Sequence, residues 1–277
     1  MDENHAANQR VDLPPSTRAL SVRTRASAHG TGGRHDLQQI ETRRLGVRVF
    51  AWNIRQGGGA RLSRIADALA RHDADILVLS EYRGGASGDR LRAALETLGY
   101  GYTTKLAPPP GRSGVLIAAR FAFNDYGAVG GGLPEPYRMV GAEFPAFQLI
   151  GIYMPNLLAK VPYWDALIAR MRKTGGRALV VGDFNTCRPY LDEPGAIDRT
   201  AHYMDRIAEI GFCDLWRRRN PYLRDYSWFS TRGNGFRIDH AFLSPGLVDC
   251  AGPVRYSHEE RLTGISDHSP LILELQV

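Results

Sequence analysis

The sequence predicts a layered α/β domain with at least eight strands, and three observations point there. From Gly46 onward, short apolar runs alternate with stretches whose apolar residues recur at helical spacing. The C-terminal third is strand-like almost throughout. Polar residues fall again and again at the ends of the apolar runs. So many strands are too many for one doubly wound sheet.

Val47–Trp52 reads as a strand ending at Asn53, and Leu62, Ile65, Ala66 and Leu69 then mark a helix. Asp75–Ser80, apolar in its interior, is a short strand ending at Glu81. Leu91, Ala94, Leu95 and Leu98 give a second helix, closed by Gly99. Strands follow at Gly114–Ala119, Arg138–Phe144 and Phe147–Tyr153, the last two forming a hairpin around Pro145-Ala146. Trp164, Leu167, Ile168 and Met171 define another helix, and Ala178–Val181 a buried strand that stops at Gly182-Asp183. Met204, Ile207 and Ile210 form a helix stopped by Gly211. Tyr226–Ser230, Arg237–Leu243 and Leu271–Val277 are strand-like.

Residues 1–45 read differently, with Pro14-Pro15-Ser16, His29–Gly33 and scattered arginines but little apolar periodicity. They are expected to be a disordered basic and polar N-terminal tail, leaving 46–277 as one catalytic domain. The whole chain has 277 residues, 43% hydrophobic and 23% charged, enough for a large core. No apolar run approaches the roughly 20 residues that span a bilayer. The N-terminus lacks the apolar centre of a secretory signal, so the expectation is a cytoplasmic protein without a membrane partner. The three cysteines, Cys187, Cys213 and Cys250, have neither zinc-ligand spacing nor the look of a disulfide framework, and are expected as small buried or half-buried residues. A net charge of +6 suits a polyanionic partner, as it also suits many basic proteins without one.

Asn53, Glu81, Tyr153, Asp183 and Asn185 each lie at or just past the C-terminal end of an apolar strand. Asp267 and His268 immediately precede the last strand. If these strands share a core, their ends converge on one pocket, where α/β sheets usually bind ligands. Taken singly, Glu81 is equally an exposed strand-end carboxylate, and Gly182–Asn185 and Ser266–Pro270 are equally polar turns. Asp239 differs, because a carboxylate inside an apolar strand is costly to bury without a partner. A histidine from another strand end is the natural candidate.

Six short motifs occur in a known order: Ala51-Trp-Asn53, Leu79-Ser-Glu81, Tyr153-Met-Pro-Asn156, Gly182-Asp-Phe-Asn185, Arg237-Ile-Asp239 and Ser266-Asp-His268. Over residues 46–277 the chain resembles the endonuclease/exonuclease/phosphatase superfamily. The resemblance implies a DNase I-like fold, a four-layer sandwich of two packed mixed β-sheets flanked by helices. Met204-Asp-Arg206, Asp214–Arg217, Asn220-Pro221, Tyr226–Phe229 and Gly235–Asp239 are most similar to exonuclease III-type apurinic/apyrimidinic endonucleases.

That likeness implies a divalent-metal-dependent phosphodiesterase acting on DNA in repair, as a monomer. Glu81 would be the principal Mg²⁺ ligand, with Asn53 and Asp267 nearby and Mn²⁺ as a substitute ion. Asp183, oriented by Asn185, would deprotonate the attacking water. His268, held by Asp239, would face a phosphate oxygen, and Tyr153 would stabilise the transition state or the leaving group. Asn156, Trp228, Phe236, Arg237 and Ile238 would contact substrate, the aromatic and aliphatic ones lining a pocket for a flipped-out abasic sugar. Tyr82-Arg83 stand where the nucleases usually have Thr-Lys, and the segments 185–204 and 229–236 are short. These departures leave open a hydrolase of another phosphate ester (phospholipid, inositol phosphate or RNA) and, more remotely, a non-catalytic binding protein.

Overall fold

The computed structural model describes residues 46–195 and 198–277, and the expectation for residues 1–45 lies outside them. The strands and helices run in the order β1 (Gly46–Asn53), α1 (Leu62–His72), β2 (Ile76–Arg83), α2 (Ala86–Thr97), β3 (Tyr102–Thr103), β4 (Ser113–Ala119) and β5 (Asn124–Ala128). There follow β6 (Met139–Glu143), β7 (Gln148–Tyr153), α3 (Val161–Arg172), β8 (Ala178–Asp183), α4 (His202–Glu209), β9 (Cys213–Asp214) and α5 (Leu215–Arg219). The rest is β10 (Trp228–Phe229), β11 (Gly235–Phe236), β12 (Asp239–Leu243), α6 (Pro245–Val248), β13 (Ala251–Tyr256), α7 (Glu259–Leu262) and β14 (Leu271–Gln276).

Two six-stranded mixed sheets form, in the orders β13-β14-β1-β2-β4-β3 and β5-β6-β7-β8-β12-β9. Their central strands read as continuous apolar runs because both faces are covered. On β1, Val49 and Ala51 join a core shared with Val140, Leu149 and Val181 of the other sheet, so this layer lies between the sheets. Phe50 and Trp52 point the opposite way and pack with Leu69 of α1 and Leu91 and Leu95 of α2. The second sheet does the same, turning Ile150, Ile152 and Val180 toward Trp164 and Leu167 of α3 and Ile207 of α4. The period-two alternation thus builds four layers, helices outside and sheets within. No helix among the described residues is long and apolar enough to cross a membrane.

The expected helices and long strands are present within a few residues; the short β3, β9, α5, α6 and α7 had no counterpart in the sequence pattern, and three further features differ. The edge strand β13 carries Pro253 and a register shift between Ala251 and Val254, which hides its alternation. Edge strand β5 is half polar and also shifts register, between Asp125 and Gly127. The run expected as one strand from Arg237 to Leu243 breaks: Gly235-Phe236 pair with β10, and the sheet proper begins at Asp239.

Each sheet contains one parallel pair, β1 with β2 and β7 with β8, and a helix crosses over between the partners. The C-terminal ends of these four strands therefore share one side of the molecule. They carry Asn53, Glu81, Tyr153 and Asp183. β12 runs antiparallel to β8, so its first residue, Asp239, pairs directly with Asp183. Gly182 keeps φ at 141°, and a Cβ there would meet the Ile152 carbonyl oxygen at 2.2 Å, so the close β7–β8 approach beside Asp183 needs glycine.

The loop before β14 is pinned from both sides. Backbone amides of Ile265 and Ser266 donate to the Glu260 carbonyl, at 2.8 and 3.2 Å. The buried Glu260 carboxylate accepts from Ser257 Oγ at 2.6 Å and Arg71 Nη2 at 2.5 Å, and lies 2.7 Å from His72 Nε2. Burial alone would raise this carboxyl, but the hydrogen bonds from His72 and Ser257 more than offset it and hold it at about 2. A depressed carboxyl stabilises the fold above its unfolded value of 4.5 and loses that contribution as pH falls through about 2. The thermal midpoint of Glu260→Gln should therefore lie below wild type at neutral pH, and the gap should narrow between pH 4.5 and 2. A gap constant across that window would refute the coupling.

Candidate active site

The polar strand ends form one hydrogen-bonded cluster. Asn53 Nδ2 donates to Glu81 Oε1 at 3.1 Å and to Asp183 Oδ2 at 2.9 Å, linking residues of both sheets. Glu81 occupies a β-bulge, where pairing with β4 slips between Ser80 and Tyr82, and its φ is +58°. The bulge swings the carboxylate out of the sheet alternation and toward the cavity, and the Gln56 amide holds it at 2.6 Å. Leu157 and Asn185 line the same cavity at φ of +54° and +47°, so local backbone strain gathers around it.

Asp183 is buried, and its Oδ1 accepts from the Asn185 amide at 2.9 Å. Asn185 in turn donates from Nδ2 to the Met154 carbonyl at 2.8 Å. Burial and the neighbouring Asp239 carboxylate push the Asp183 carboxyl up to about 7, against the pull of His268 and of the hydrogen bonds from Asn53 and Asn185. His268 Nδ1 lies 2.8 Å from Asp239 Oδ2 in a buried pair. Burial disfavours the charged imidazole, yet the Asp239 carboxylate outweighs it and raises His268 to about 10. The ring is thus an imidazolium at neutral pH. Trp52 Nε1 donates to the His268 carbonyl at 3.0 Å, and Ser266 Oγ donates to the Asn53 carbonyl at 2.6 Å, which fixes the loop against β1.

A cavity of about 810 Å³ opens over this cluster. Glu81, Tyr153, Asn156, Asp183, Asn185, Asp267 and His268 line it together with Trp228, Phe236 and Ile238. The Trp228 and Phe236 rings lie 5.6 Å apart on the short β10–β11 ribbon. Burial, Glu81 and Asp183 all raise the Tyr153 phenol, so it stays protonated, and Arg138 lies over its ring at 4.6 Å. Asp267 is half exposed at the rim, 4.0 Å from Arg55 Nε.

Arg237 stands apart from the expected substrate contacts. Phe236 and Ile238 line the cavity, and the residue between them turns away from it. Arg237 is wholly buried, bonded to Asp192 at 2.8 Å and to both oxygens of Asp214 at 3.1 and 2.7 Å, and it lies over the Trp216 ring. Burial would raise both carboxyls, but Arg237 holds each below its ordinary value, Asp214 well below. Arg237→Leu should therefore cost about 3–5 kcal/mol in urea unfolding, because two buried carboxylates lose their wholly buried partner and, of the arginines, keep only Arg217 and Arg188. A loss below about 1 kcal/mol would show the network to be solvated.

Ligand atoms of Asp183, Asp239 and His268 lie within 4.8 Å of one another, a grouping that could hold a metal ion. Glu81 and Asn53 add oxygen donors beside it. Oxygen donors and a surplus of negative charge, visible in the raised Asp183 carboxyl, fit a hard divalent cation such as Mg²⁺ or Mn²⁺.

The family model described as "Endonuclease/Exonuclease/phosphatase family" matches residues 50–268. The chain belongs to this family. The two-sheet architecture of this endonuclease/exonuclease/phosphatase family protein is that of solved DNase I-like nucleases. The chain is similar to a 3′-5′ exonuclease, NExo, from Neisseria meningitidis, with 26% identity and a TM-score of 0.74 over 83% of this chain and 100% of that one. A 3′ phosphatase form of NExo from Neisseria, bound to product DNA hairpin, gives 25% identity and a TM-score of 0.73 over the same 83% of this chain and 100% of the other. Recombination repair protein 1 of Drosophila melanogaster is 26% identical over 82% of this chain, which spans 37% of that protein's length. An AP endonuclease from Archaeoglobus fulgidus shares the fold at a TM-score of 0.72 and 22% identity, over 83% of this chain and 100% of that one.

Lys160, Asp198 and Thr200 also line the cavity of this family member, and the sequence reading passed over them. Lys160 follows Asn156 by four positions, in a 3-10 turn over Leu157–Lys160. Nothing in hydrophobic period marks a buried lysine, and proximity to the Tyr153–Asn156 motif was the one local signal.

Proposed function

We propose that the protein is a Mg²⁺-dependent phosphodiesterase acting on DNA, of the exonuclease III and abasic-site endonuclease kind. One observation carries this reading: a single cavity joins the charged cluster to an apolar, aromatic wall. A phosphate ester attached to a sugar that has left the base stack would use both halves, phosphate on the charges and sugar on Trp228, Phe236 and Ile238. The names of the relatives, a recombination repair protein and an enzyme bound to a DNA hairpin, support the same substrate class. So does the positive net charge.

Glu81 would hold the cation, with Asn53 and Asp267 alongside. His268 Nδ1 is taken by Asp239 at 2.8 Å, so the ring is assigned here to the phosphate and not to the cation. When bound, the cation neutralises charge that builds on the phosphate oxygens. Asp183 takes the proton of the attacking water, and burial beside the Asp239 carboxylate raises its affinity for that proton. Asn185 keeps that carboxylate aimed. His268, with Nδ1 committed to Asp239, presents Nε2 to a phosphate oxygen, and protonated Tyr153 donates to the leaving oxygen. Asn156 adds a neutral donor to the phosphate.

The test is purified protein with Mg²⁺ on duplex DNA bearing one abasic analogue, beside intact duplex, single strands, RNA and a generic phosphomonoester. Cleavage of the abasic strand or of 3′ ends is expected, falling to background with EDTA. Turnover of RNA or the phosphomonoester alone would reject DNA as substrate, and metal-independent turnover would reject the cation's role.

A further inference from the structure

Lys160 is 3% exposed, and it lies behind the turn that carries the proposed base. Its Nζ donates to the Asn185 carbonyl and, at 3.1 Å, to Thr186 Oγ1, and it lies 3.9 Å from Asp198 Oδ2. An ammonium has three donors, and three acceptors surround this one. Two of these acceptors are themselves held. Trp164 Nε1 donates to Thr186 Oγ1 at 3.3 Å, and Asp198 accepts from Thr200 Oγ1 at 2.6 Å and from the Cys187 amide at 3.2 Å. Two of its donors are thus committed within the chain and the charge is paired with Asp198, although the side chain lies in the cavity wall.

Asn185 is not glycine, yet its φ is +47°, a left-handed conformation that L residues adopt at a cost. Its amide donates to Asp183 Oδ1 at 2.9 Å, and its Nδ2 lies 3.5 Å from Asp183 Oδ2. Relaxation to the ordinary right-handed region would swing the Asn185 carbonyl, together with the side chain whose Nδ2 reaches the Met154 carbonyl and Asp183 Oδ2. Lys160 grips that carbonyl. We propose that Lys160 is a positioning residue, which locks the Asn185 peptide and so keeps the Asp183 carboxylate aimed at the attacking water. The catalytic half of this statement rests on Asp183 being the base; the conformational half does not.

Hydrogen–deuterium exchange over residues 183–187, with steady-state kinetics on the abasic duplex, separates the two. Lys160→Met should exchange the Asn185 and Thr186 amides at least about tenfold faster than wild type. Its kcat should fall about 10–100-fold while KM stays within about twofold, the pattern of a misaligned group that does not bind substrate. Lys160→Arg, which keeps charge and donors, should recover most of both. Unchanged exchange at 183–187 would overturn the proposal, and so would faster exchange spread equally over β8 and β12, which marks general loosening. A wild-type protein that cleaves no phosphate ester would defeat the proposed function, while the exchange data would still decide the role of Lys160.

Discussion

Asp183→Asn is expected to lower kcat at least about a hundredfold, the scale for losing one positioned base. Asparagine has nearly the same shape, and its one amide oxygen can still accept from the Asn185 amide, 2.9 Å from Asp183 Oδ1, while the bond from Asn53 Nδ2 to Oδ2 is lost. What it cannot do is take a proton from water. The same change should raise the thermal midpoint. Asp183 is a buried carboxylate beside the Asp239 carboxylate, and its raised value means that the folded state holds it ionised at a cost above the unfolded value of 3.8. Removing the charge removes that cost, so activity and stability should move in opposite directions, as they do where a site is strained for function. Steady-state rates and a melting curve in EDTA check both halves. Near-normal kcat would remove Asp183 from the mechanism.

His268→Ala is expected to lose at least about a hundredfold in kcat for a different reason. The imidazolium would supply a fixed positive charge where negative charge develops on the phosphate. Its partner Asp239 lies inside the sheet, opposite Asp183 in register. Without the ring, two buried carboxylates face each other unshielded, so stability should also fall, by about 3–5 kcal/mol. Adding Asp239→Asn to His268→Ala should restore much of that stability and almost none of the rate, because the two residues act as a unit. Recovery of rate in the double variant would show that Asp239 alone was the obstacle and that His268 has no part in the chemistry.

Much of this was legible before the fold was described. The apolar runs gave the central strands, since a strand covered on both faces needs no polar residue along its length. Their abrupt polar ends marked Asn53, Glu81, Tyr153 and Asp183. Edge strands such as β5 and β13 were not legible, because one side is solvated and their register is broken. Arg237 was not legible either, because the run read as one strand breaks around it, Gly235-Phe236 pairing with β10 and the sheet proper beginning at Asp239.

The sequence by itself determined which polar residues stand at the strand ends, because residue type and place along an apolar run are local properties. The tertiary structure decided how those residues act together. Asn53 meets Asp183 across a separation of 130 residues, and Asp239 meets His268 across 29. Such contacts follow from sheet register and from the packing of two sheets, which no local period encodes. The bulge that swings Glu81 toward the cavity, and the three acceptors that converge on Lys160, belong to the same class. Each needs partners brought in from distant parts of the chain, so each exists only once the layers have closed.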